Sequence, residues 1–140
     1  MYVYFCCSYS VIDVMPIPSL QAGGSGDWLT YLPGRELRKL FLGALRGVCD
    51  RDLRAILPRL RRLEQLDLLG VRSVTADICR EILAECHNLR LLDVSFCDQI
   101  QEMQVHQWRK LYPHVSIKRS FQSPNLYSAP THYFFAPTFE

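Results

Sequence analysis

Apolar residues recur along this chain at a fixed 26-residue step, marked by Leu37, Leu63, Leu89 and Val115. The register continues inside each unit. Leu40, Leu66 and Leu92 follow three places on, Leu42, Leu68 and Val94 five on, Leu45, Val71 and Cys97 eight on, and Val48, Val74 and Ile100 eleven on. A later set takes helical spacing: Leu53, Cys79 and Val105, then Ile56, Ile82 and Trp108, then Leu60, Cys86 and Tyr112. Alternating apolar positions specify a short strand, and an i, i+3, i+7 stripe specifies a helix with one buried face. The pattern predicts strands near 39–42, 65–68 and 91–94, with helices near 51–60, 76–86 and 102–111. One unit cannot bury its stripe alone, so the units must stack around a shared core. The expected fold is a curved α/β solenoid of strand-turn-helix units whose short parallel sheet lines the inner face.

The same alternation assigns the outward-facing side chains. Neighbours in a strand point to opposite faces, so with Leu92 and Val94 in the core, Asp93 projects from the concave face into water. Lys39, Phe41, Gln65, Asp67, Leu69, Leu91 and Ser95 share that face. Adjacent strands lie about 4.8 Å apart, which makes Asp67 and Asp93 an acidic pair surrounded by Phe41, Leu69 and Leu91. Taken singly, each of these residues is an ordinary surface position. Apolar groups clustered beside charge are what a binding surface presents. The grouping predicts a partner segment with a basic residue between the carboxylates and an apolar one against Leu91.

The periodic region covers residues 28–120, about three full units. WLTYLPG at 28–34 echoes AILPRLR at 55–61, as the helix end of a truncated preceding unit would. Residues 1–27 are expected to be irregular or disordered, with residues 1–20 either pairing loosely with the open edge of the first strand or disordered. Within them QAGGSGD at 21–27 has linker composition and lacks the Lys and Ser or Thr of a phosphate-binding P-loop. Residues 121–140 carry three prolines and no period and are expected to form a mobile tail. Neither end shows an obvious polar cap, so the chain reads as a fragment.

Composition narrows the function classes. With 49% hydrophobic and 21% charged residues, the 140-residue chain matches one ordinary globular domain. A formal net charge of +2, with basic residues interleaved among acids, argues against nucleic acid. Arg59, Arg61 and Arg62 form the tightest basic cluster, better read as cations near a helix C-terminus than as a phosphate site. No Lys or Arg precedes Arg35, which fits neither a secretory signal nor a mitochondrial leader. The apolar stretch at the start is broken by Ser8, Ser10, Asp13 and Pro16, well short of the roughly 20 residues that span a bilayer. Cys49, Cys79, Cys86 and Cys97 fall at or beside apolar positions, as reduced intracellular thiols do, and Cys6 and Cys7 fit no common zinc spacing. His87, His106, His114 and His132 share no motif. Cys79, Cys86 and His87 are better read as core packing than as metal ligands. No enzyme activity, cofactor or metal is expected.

The opening Leu-x-x-Leu-x-Leu, closed by a cysteine in LRLLDVSFC at 89–97, resembles the cysteine-type leucine-rich repeat, whose family runs at roughly 20–29 residues per unit. Leu45 and Val71 take the place of that cysteine in the other units. The period, LDVSFCDQI at 92–100 and YPHVSIKRSF at 112–121 together resemble the C-terminal repeats of F-box and leucine-rich-repeat proteins. The resemblance implies a substrate-recognition surface for a Skp1–cullin–F-box (SCF) ubiquitin ligase acting in ubiquitin-dependent degradation, the repeats themselves doing no chemistry. The segment ahead of Arg35 is too short and too rich in Gly and Pro to hold an F-box, so Skp1 would be reached only through a module absent from this chain. The other reading is a non-ligase repeat scaffold or assembly factor, including one for a mitochondrial complex. An F-box upstream in the full-length product would separate the two. The expected location is intracellular and cytoplasmic, with mitochondrial or nuclear association left open.

Overall fold

The computed structural model of the chain describes residues 3–8, 11–15, 29, 30, 32, 34–45 and 47–120, the first two ranges by their backbone alone. The linker at 21–27, the tail at 121–140, the side chains of Cys6 and Cys7, and His132 lie outside the described residues.

Among the described residues six strands form one sheet in chain order: β1 (Val3–Ser8), β2 (Val11–Met15), β3 (Lys39–Phe41), β4 (Gln65–Asp67), β5 (Leu91–Asp93) and β6 (Ser116–Lys118). Strands β3 to β6 are parallel, and successive pairs are joined through α1 (Asp50–Ile56), α2 (Ala76–Glu85) and α3 (Glu102–Leu111). The architecture of the described residues is therefore α/β, with the four repeat strands β3 to β6 parallel within the six-strand sheet and three α-helices between them. Leu40, Leu66 and Leu92 are fully buried in one core with Leu53, Ile56, Ile78, Ile82, Val105 and Trp108, so the helices cover one face of the sheet.

The 26-residue step is carried into the sheet itself. Lys39 pairs with Gln65 and Gln65 with Leu91, Leu40 with Leu66 and Leu66 with Leu92, and Phe41 with Asp67 and Asp67 with Asp93. Backbone hydrogen bonds recur at the same interval. Leu37, Leu63, Leu89 and Val115 each donate to the carbonyl three positions back, and the Ala44, Gly70 and Phe96 N–H groups donate to Leu69, Ser95 and Ser120. Those last three donors also share a left-handed backbone, with φ of 60° at Ala44, 71° at Gly70 and 59° at Phe96. Each unit thus leaves its strand through the same turn, although only one carries the glycine that adopts it without strain.

Local chemistry starts the helices. The Asp52 carboxylate accepts the Cys49 N–H at 2.9 Å ahead of α1, and Gln104 accepts the Gln101 N–H at 2.8 Å ahead of α3. At α2 the Thr75 hydroxyl accepts from Asp77, while Thr75 itself donates its N–H and hydroxyl to Asp50. The start of one helix is thereby fastened to the start of the next. A bidentate Arg54–Glu81 pair, with contacts of 2.7 and 2.9 Å, joins the same two helices further along. Pro58 follows α1 within a 3-10 turn, Leu57–Arg59, which ends the α-helix earlier than the expected boundary at residue 60.

Three features depart from the sequence reading. First, residues 3–8 and 11–15 are strands rather than irregular: β2 takes up the pairing expected at the open edge of the first repeat strand, parallel on β3 in the register Ile12 to Leu40, and the antiparallel partner β1 beside it is the part outside that expectation. Second, β6 is out of step by one position, because Leu92 pairs with Ile117 and Asp93 with Lys118, each one short of the repeat interval. Third, the β6 end has a polar cover. Arg109 donates to the Ile117 carbonyl at 3.1 and 2.8 Å, Arg119 donates to the Ile100 carbonyl at 3.1 Å, and both guanidinium groups reach Glu102. Occupying a carbonyl of the last strand blunts an edge that would otherwise accept another strand.

Candidate partner-binding face

Opposite the helices, the strands β3 to β6 present two cross-strand rows. One runs Lys39, Gln65, Leu91, Ser116, and the other Phe41, Asp67, Asp93, Lys118. Lys39, Ser116 and Lys118 are exposed, and Phe41, Gln65, Asp67, Leu91 and Asp93 are half-buried. Seven of the eight residues assigned to this face by alternation therefore remain accessible on it, including Leu69, which is 38% exposed beyond the end of β4.

Ser95 is the exception and a correction. It is only 4% exposed, and its hydroxyl accepts the Ser120 N–H at 2.9 Å, so it ties β5 to the segment after β6 rather than facing a partner.

The carboxylates are half-buried rather than fully solvated because each has a local task. Asp67 Oδ1 accepts the Leu69 N–H at 2.8 Å and Asp93 Oδ1 accepts the Ser95 N–H at 2.9 Å. These are turns in which an aspartate oxygen stands in for a backbone carbonyl, with the donor two positions further along the chain. The bond explains why aspartate suits the last strand position of both units. It also fixes the two side chains in equivalent orientations, neighbours across the β4–β5 ladder.

Two residues of this face lie outside the sequence pattern. The 26-residue step would align Lys118 with Leu92, in the core. Losing one position between Val115 and Ser116 moves it to the open face beside Asp93, putting a cation at the edge of the acidic pair. Phe96 belongs to neither apolar stripe, yet its side chain is 40% exposed just past β5. With Leu69 it gives the acidic pair an apolar margin.

Cys79, Cys86 and Cys97 are buried with the apolar residues of the core. Burial pushes Cys86 and Cys97 up to about 11 and raises Cys79 further, and Cys97 donates its thiol to the Leu68 carbonyl at 3.1 Å. Thiols so far from ionisation are packing groups at neutral pH. No protein-family model matches the chain. Among the described residues, no helix is long and apolar enough to cross a membrane.

Proposed function

We propose that residues 28–120 form a cysteine-type leucine-rich-repeat solenoid whose open sheet face holds an extended segment of a protein partner, as the substrate-recognition repeats of an SCF-type ubiquitin ligase. The observation that carries the binding reading is the Asp67–Asp93 pair, in register on adjacent strands and bordered by half-exposed Phe41, Leu69, Leu91 and Phe96. Two aligned carboxylates attract a lysine or arginine side chain. The apolar border supplies area that leaves water when the segment docks. The solenoid reading is supported by the common 26-residue register of β3 to β5 and by the left-handed turn repeated after each of them. The ligase reading is supported by the resemblance of LDVSFCDQI and YPHVSIKRSF to the F-box family's repeats. In this reading residues 1–140 hold a substrate without recruiting Skp1.

The test uses Asp67→Asn with Asp93→Asn, because asparagine keeps an oxygen for the Leu69 and Ser95 N–H groups while removing both charges. Proteins captured from lysate by the parent and by the double variant are compared by quantitative mass spectrometry. The partner that matters is the one whose capture falls about tenfold or more with an unchanged melting temperature, as truncating a docked charge pair predicts. Undiminished capture overturns the concave site. Expressing the chain in cells then separates the two contexts. A captured substrate of a ligase lives longer when the chain shields it, whereas an unchanged half-life with intact capture assigns the module to a non-ligase scaffold.

A further inference from the structure

Arginines on the described surface are mostly matched to carboxylates. Arg38 pairs with Glu64, Arg54 with Glu81, Arg72 with Asp98 and Arg80 with Asp77, while Arg109 and Arg119 share Glu102. The matching is weakest at one place. Between the 3-10 turn Gly34–Glu36 and the segment after α1 lies a cleft of about 460 Å³, lined by Arg35, Glu36, Pro58, Arg59, Arg61 and Arg62. Four arginines and one carboxylate line it among the described residues, Arg61 also bordering a neighbouring cleft that holds Glu81 and Glu85. Along the sequence Arg59, Arg61 and Arg62 read as helix-end cations, and only the fold brings Arg35 beside them.

The four are not equivalent. Arg59 is fastened in place by donating to the Thr30 carbonyl and, at 2.6 Å, to the Leu32 carbonyl. Arg62 is held by Glu36 at 2.9 Å. Arg35 and Arg61 are exposed and have no ion pair or side-chain hydrogen bond among the described residues. Of the three described arginines in that condition, Arg35, Arg61 and Arg90, two therefore line the same cleft. The two anchored arginines hold its walls while the two uncommitted ones leave their donor forks open.

We infer that this cleft is a phosphate-binding site, with Arg35 and Arg61 as the ligating side chains and Arg59 and Arg62 contributing positive potential from fixed positions. A guanidinium presents paired N–H donors that match two oxygens of a phosphate, and two such forks neutralise a dianion. Glu36, the carboxylate that lines the cleft among the described residues, is already committed to Arg62, which lessens its repulsion of an incoming anion. The site lies away from the open sheet face and stands or falls independently of the partner-binding proposal.

The experiment titrates the full chain with inorganic phosphate at constant ionic strength, following the Nε–Hε signals of the arginines by NMR. A second arm uses a phosphoserine peptide and the same peptide unphosphorylated. Saturable shifts confined to the cleft arginines are expected, with Arg35→Gln/Arg61→Gln weakening binding by about tenfold or more, the scale of losing charge-assisted hydrogen bonds. Arg72→Gln/Arg80→Gln, which removes the same charge elsewhere, should leave affinity unchanged. Tighter binding of the phosphopeptide than of phosphate, with the unphosphorylated peptide silent, places the group on a partner protein. Equal affinities for phosphate and phosphopeptide point to a free phosphate. Absence of saturation in the millimolar range, or equal weakening by the control pair, overturns the inference. Both pairs change exposed side chains, and matching melting temperatures exclude unfolding as the cause.

Discussion

The repeated left-handed turn makes a prediction with opposite signs at equivalent positions. Ala44 and Gly70 occupy the same place in successive units with φ of 60° and 71°, and the N–H of each donates to the neighbouring unit. A non-glycine residue in this region is strained by roughly 1–2 kcal/mol, and replacing it with glycine gives back part of that through the freer unfolded chain, about 0.4–1 kcal/mol. Ala44→Gly should therefore stabilise the protein by a net ~0.5–1 kcal/mol. At Gly70 an added Cβ would meet Ala44 Cα and N at 3.9 Å, ordinary contact distance, so no clash contributes. Gly70→Ala should consequently destabilise by a similar ~0.5–1 kcal/mol, from backbone strain alone. Urea melts report this as midpoint shifts of opposite sign at constant slope, and thermal melts as displacements of roughly 2–8 °C. Shifts of the same sign, or a neutral Gly70→Ala, would refute both the shared turn geometry and the equivalence of the two units.

Trp108 is 3% exposed at the α3 position occupied by Ile56 and Ile82 in the earlier units. Trp108→Ala should cost about 3–5 kcal/mol in denaturant melts, and a loss under about 1 kcal/mol would mean the ring is not a core group. Gly34 allows a close approach, since an added Cβ would sit 2.9 Å from the Arg59 Cβ. Gly34→Ala should thus destabilise by about 1–3 kcal/mol, the overpacking range, and a neutral result in the same melts would contradict that packing. The thiols predict an alkaline limb. Burial raises Cys86 and Cys97 from 9.0 to about 11, so between those values only the unfolded chain releases their protons, and stability should fall as pH rises through this window. Melts of the Cys86→Ala/Cys97→Ala variant should show a weaker decline over the same range, and an identical decline would refute the assignment.

Much of this fold was legible because the contacts of the core repeat with the chain. Leu40 packs beside Leu66, and Leu66 beside Leu92, so a period read along the sequence is also a map of neighbours in space. The alternation around Asp67 and Asp93 likewise told which face they occupy. The same reasoning failed where a residue's position depends on something other than period. Residues 3–15 contain no copy of the unit, and their strands are defined by hydrogen bonds to each other and to β3. Arg109 and Arg119 look like ordinary surface cations until the fold offers them bare carbonyls, Ile117 in the last strand and Ile100 in the loop before α3.

For the candidate face, the period and side-chain alternation by themselves determined the neighbouring carboxylates and the apolar residues around them. Burial imposes a two-residue rhythm on any strand with one covered face, and that rhythm is written locally. Only the tertiary structure decided that Ser95 is buried beneath its bond to Ser120, that Phe96 stands exposed in a left-handed turn, and that Lys118 joins Asp93 rather than the core. The physical reason is common to all three. A backbone donor must find an acceptor across the neighbouring strand, and a single position lost before β6 reverses which side chains face the core, so cross-strand hydrogen bonding fixes what periodicity leaves undetermined.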